Sequence, residues 1–197
     1  MDLDLKMELH NLLTDASGLW AVAAAIAGAA LTQAFGSLRN RSRRRKDAEL
    51  TFVESQIRDL YGPLYALSHA NQHTYNKFKT ANEEVIHALA SGVTLSGEAA
   101  KTWKLWTDNV FQPGNRKMMD VILRGAHLFR TAEMPEIVLQ FVAHVESYEA
   151  LISTFEETGL SISNQIIPFP EGFAEYVAGE YAKVTQRYER LGAGRRK

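Results

Sequence analysis

His69 and His73 stand four residues apart in a stretch of helical periodicity, so their rings share one face and offer two of the ligands a metal ion needs. A third ligand would have to come from His87, His127, His144, Glu146 or Glu149. His127 and His144 fall on consecutive helices expected to pair antiparallel. They stand about 6 Å out of register along the axis, a strained arrangement for shared ligation. The HExxH pairing of metallohydrolases is absent. A metal-dependent enzyme is therefore one reading, with His69 and His73 as its metal candidates. Surface or hydrogen-bonded histidines are the simpler one.

Other chemistries find less in this chain. It has no cysteine, which removes disulfides, thiolate nucleophiles and thiolate metal sites. No glycine-rich phosphate loop and no GxSxG elbow occurs. Glu83-Glu84 and Glu156-Glu157 are adjacent, so on a helix they point to different sides and form no catalytic dyad. Tyr61, Tyr65, Tyr75, Trp103, Trp106, Tyr148, Tyr176, Tyr181 and Tyr188 are enough aromatics for a ligand pocket, but they read more simply as core residues with satisfied polar tips. The expectation is a protein that is not an enzyme and holds no cofactor.

The elements that would position these residues begin with an apolar run. Residues 16–38 carry no charge and no proline. As a helix they would extend about 34 Å, enough for a hydrocarbon core of about 30 Å. Leu19, Trp20, Ala25, Gly28 and Phe35 mark this expected transmembrane helix, with the two aromatics near its ends. Ala21, Ala25 and Ala29, and on a neighbouring face Ala24, Gly28 and Thr32, are small residues at the spacing that lets helices approach closely in lipid. A basic collar follows at 39–46, with Arg39, Arg41, Arg43, Arg44, Arg45 and Lys46 placed to meet anionic lipid headgroups. The short tail at 1–15 is acidic, unlike the start of a cleaved signal peptide. The positive-inside rule then puts that tail outside the cell inner membrane and everything after the span in the cytoplasm.

Charge is strongly segregated behind a formal net charge of −1. Residues 1–18 carry −3, residues 39–46 carry +6 and the basic tail at 192–197 carries +3, which leaves −7 for the body between. An acidic body argues against nucleic acid as a partner, because phosphate contacts need a positive surface.

The body, residues 47–191, reads as an all-α bundle of about six helices. Val53, Ile57, Leu60 and Leu64 share a helical face, and Gly62-Pro63 is expected to break or kink that helix. The periodicity resumes through Leu67, Thr74, Phe78, Val85 and Leu89 to Ser91. A helix from Gly97 to Phe111 should carry Ser96 as its N-cap. Gln112-Pro113-Gly114-Asn115 reads as a turn, with Asn115 capping a helix that runs to Ala132. After Pro135, Val138, Phe141, Val145, Tyr148, Ile152 and Phe155 form a coiled-coil-like seam that Gly159 should end. A long apolar connection, residues 160–170, is expected to pack over an open end of the core. It leads to a last helix from Glu171 to Leu191.

The stretch IRDLYGPLYAL at Ile57–Leu67 and the stretch FVAHVESYEALI at Phe141–Ile152 resemble small uncharacterised bacterial inner-membrane proteins with one N-terminal span and a cytoplasmic helical domain. The resemblance implies that architecture and no activity. The reading it joins is a membrane-anchored module that forms a homo-oligomer or binds a protein partner at the bilayer. A small toxin-like or defence-related effector that perturbs the bilayer is the alternative from another class.

Overall fold

The computed structural model describes residues 28, 32, 33, 36, 39–91, 95–131, 133–158 and 167–193, with the backbone course alone over 151–158. The chain divides into two units, Met1–Glu49 and Leu50–Lys197. In the first, residues 39–49 are helical and their side chains are exposed through Ala48. Leu19, Trp20, Ala25 and Phe35 lie outside the described residues. Among the described residues no helix is long and apolar enough to cross a membrane.

The second unit is all-helical among its described residues. Its first helix, α1, covers residues 50–81 without a break. The sequence predicts a break or a kink at Gly62-Pro63, and the structure shows no break. Residues Gln56–Tyr61 widen into a π turn, in which the Gly62 N–H donates to the Ile57 carbonyl five residues back. Proline has no N–H and its ring collides with the carbonyl four residues earlier. Inserting one residue into the turn swings that carbonyl aside, so the helix continues. Gly62 is required here, because a Cβ would sit 2.5 Å from the Ile57 oxygen.

The same solution recurs at the other internal proline. The turn expected at Gln112–Asn115 is absent. Gly97–Trp106, a π turn at Thr107–Phe111 and Gln112–Arg124 form one helix, α3, with the Gln112 N–H on the Thr107 carbonyl. Asn115 caps nothing; it lies buried inside the helix, its Oδ1 accepting from Asn71 Nδ2 at 3.0 Å. The helix also stops at Arg124 rather than Ala132, and a single 3-10 turn, Ala126–Leu128, follows.

Between α1 and α3 the sequence predicts an unbroken periodicity to Ser91, but the chain leaves helical geometry at Asn82 (φ −135°, ψ 50°). Its side-chain Nδ2 donates to the Phe78 carbonyl at 3.0 Å, taking over a bond that a helical backbone would have supplied. A short helix, α2, then runs Glu83–Ala90 with two acids in its first turn, where the helix dipole favours them. The remaining helices are α4, Glu136–Thr158, and α5, Phe173–Ala193. The described body thus holds five helices, because two expected joints are π turns and one expected helix is split.

Specific contacts set the directions. Leu60 meets Gly125 and Asn71 bonds Asn115, so α1 and α3 are antiparallel. Arg116 pairs with Glu149, which runs α4 back against α3. Phe173 stacks on Phe141 (4.3 Å between ring centres), so α5 starts beside the first half of α4. Tyr61 lies near Tyr176 and Tyr65 stacks on Tyr181 at 4.8 Å, so α5 runs parallel to α1. Three helices therefore point one way and α3 the other.

Two apolar clusters hold the body together. The larger joins Val53, Leu60, Leu64, Met118, Ile122, Val138, Phe141, Val145, Phe173 and Val177. The smaller packs Phe78, Val85, Leu95 and Phe111 with Trp103 and Trp106. Of the seam expected on α4, Val138, Phe141 and Val145 are fully buried in the larger cluster and Tyr148 is half-buried, while the side chains of Ile152 and Phe155 lie outside the described residues.

Candidate functional site

A group of buried polar and aromatic side chains surrounds the first π turn. The extra residue in that turn rotates α1, so Gln56, Leu60 and Tyr61 all point inward. Gln56 is fully buried; its Nε2 donates to the Leu128 carbonyl at 2.6 Å, tying α1 to the turn after α3. Its Oε1 has no partner among the described residues. Tyr61 packs edge-on to Phe129 and lies close to Tyr176 of α5. One turn further on, Tyr65 lies between Tyr181 and His69, whose ring centre is 4.2 Å away. Glu180, one turn beyond Tyr176 on α5, pairs with Lys183 at 2.7 Å.

The electrostatics of this face are those of a neutral hydrogen-bonded site. Burial pushes the Tyr61 hydroxyl well above the usual phenol range, with Tyr176 and Glu180 adding to it. Burial likewise pushes Tyr176 up to about 12. Tyr148, on α4, is also pushed up to about 12 by burial, with the nearby Trp103 working the other way. Phenols held this high stay protonated at neutral pH, so they bind and orient but supply no base or nucleophile.

The histidines are dispersed. His69 and His73 are both exposed on α1, with His69 engaged by the Tyr65 ring. His87 and His127 are exposed on separate elements. His144 is buried on α4, and its Nδ1 donates to the Ile167 carbonyl at 2.7 Å. Among the described residues no group of three or more histidine, aspartate or glutamate side chains stands close enough to hold a metal ion. Gly28 is exposed, and so are Arg39, Arg41, Arg43, Arg44, Arg45 and Lys46.

Sequence reasoning overlooked the two π turns, the buried Gln56 and Gln112, and the partnership of His144 with Ile167. The signal for the first was present: a proline inside otherwise uninterrupted helical spacing, preceded at one site by glycine. No signal marked the last, since its two residues are 23 apart and joined only by the fold. Comparison of the chain with protein-family models, with curated proteins and with solved structures finds no match.

Proposed function

We propose that this chain is a membrane-anchored helical module that acts by self-assembly or by binding another protein. Residues 16–38 span the cell inner membrane, the N-terminus lies outside and the helical body lies in the cytoplasm. The observation that carries this reading is the exposed basic helix at 39–46, directly after the apolar run. Six cations on eight residues repel one another in isolation, whereas each one near an anionic bilayer gains about 1 kcal/mol. The acidic body is repelled from the same surface and from nucleic acid. Confinement to a membrane raises the effective concentration of identical bodies, so weak contacts between them suffice for assembly.

The test is amine-reactive crosslinking of the full chain in membranes. Gly28→Leu should lower the yield of crosslinked oligomer by blocking close approach of spans. Replacing all six collar cations by Gln should weaken association with anionic vesicles but not with neutral ones. The reading is rejected by a body without residues 1–46 that keeps full cellular activity in solution. Turnover of a substrate that is lost in His69→Ala would reject it equally.

A further inference from the structure

The described end of the α4–α5 connection, Ile167–Pro170, is hydrogen-bonded to α4 through one residue. The Ile167 carbonyl accepts from His144 Nδ1 at 2.7 Å, and the Ile167 N–H donates to Ser147 Oγ at 3.2 Å. Ser147 Oγ in turn donates to the His144 carbonyl at 2.9 Å, so the two side chains are locked one turn apart. Pro168 and Pro170 have no N–H to donate. Phe169 adds ring contacts to Phe141 (5.7 Å), His144 (5.4 Å) and Phe173 (5.9 Å), yet remains 37% exposed. Both backbone polar groups of Ile167 thus depend on two side chains of α4.

We propose that Ile167–Pro170 is an acid-released strap, docked on α4 while the His144 imidazole is neutral and freed when that ring takes up a proton. Since the carbonyl of Ile167 only accepts, Nδ1 carries the hydrogen in the neutral ring and Nε2 is bare. Protonation therefore adds a charge without adding a bond to the strap. The ring is only 6% exposed. Tyr148, on its own helix, is the titratable group in ring contact, at 5.2 Å, and stays neutral throughout the relevant range. The strap brings a carbonyl and the Phe169 ring but no charged side chain; Glu171 follows it and is exposed. Burial holds the His144 pKa below its ordinary value, and the Ile167 carbonyl opposes that only in part. The docked state consequently has its full stability above the unperturbed histidine pKa of about 6.5 and loses it as pH falls through the lower docked value. Release hydrates the imidazolium and exposes Phe169 and the α4 stripe beneath it.

Hydrogen exchange of the full chain, read by mass spectrometry on the peptide containing Ile167 and Phe169, tests this. Their amides are the only two in the strap. After correction for intrinsic rates, the Ile167 amide, which donates to Ser147 Oγ, should be protected at pH 7.5 and lose protection at pH 5, while the far-UV circular dichroism is unchanged. His144→Asn keeps a donor at the Nδ1 position but does not titrate, so it should stay protected at both pH values. Ser147→Ala should be unprotected at both. The proposal is overturned if the wild-type strap is equally protected at pH 5. It is also overturned if His144→Asn loses protection with acid as the wild type does, or if protection is lost only together with the helical signal.

Discussion

Two glycines of the body illustrate how position decides a residue's worth. At Gly62 a Cβ would meet the Ile57 oxygen at 2.5 Å, a backbone atom that cannot rotate away. At Gly179, inside α5, nothing lies within 4 Å of the same added atom. Gly62→Ala should therefore destabilise the protein by about 1–3 kcal/mol, the usual cost of overpacking. Gly179→Ala should stabilise it by about 0.5–1 kcal/mol, since alanine loses less backbone entropy in a helix. Denaturant titration of both variants measures the two signs. A neutral Gly62→Ala would mean that the π turn tolerates a side chain. The buried Gln56 follows the same logic: one end of its amide is satisfied by Leu128, so its cost is partly offset by holding α1 to the turn after α3.

Among the elements, α4 touches most of what matters. Its seam is buried at Val138, Phe141 and Val145, its flank carries the Arg116–Glu149 pair, and His144 and Ser147 hold the strap. These contributions are unequal. Val145→Asp places an unpaired charge where no water reaches, a penalty that exceeds the stability of an ordinary domain of this size. It should abolish the cooperative unfolding transition. Arg116 is about half exposed, so its ion pair is screened by solvent. Arg116→Ala should lower the stability by less than about 1 kcal/mol. Thermal unfolding followed by circular dichroism separates the two. If Arg116→Ala proved the more damaging, the core would lie elsewhere than on this seam. The paired π turns show a second rule at this scale. A proline inside a long helix does not have to end it, provided the preceding turn can widen by one residue.

At the scale of the whole molecule, the body has its own core and its own boundary, with the first unit ending at Glu49. A chain beginning at Asp47 should therefore be soluble and strongly helical by far-UV circular dichroism; a strand-rich or unfolded spectrum would show that the body needs residues 1–46 to fold. The helical class was legible in the sequence because an amphipathic helix writes its period into its own residues, as Val138, Phe141 and Val145 do on α4. The charge segregation was equally legible, since charge is a property of composition. Where the helices join was not. Proline at 63 and 113 raises the local cost of a helix, but whether the chain turns or widens depends on what the next turn can bury, and at both sites it continues into the core through Leu64 and Met118. Asn82 shows the converse, a break with no proline, made affordable by one side-chain bond to Phe78. The parallel run of α4 and α5, the burial of His144 and its hold on Ile167 belong to the tertiary structure alone. They arise between residues far apart in the chain, whose pairing is chosen by the packing of whole helices rather than by any local pattern.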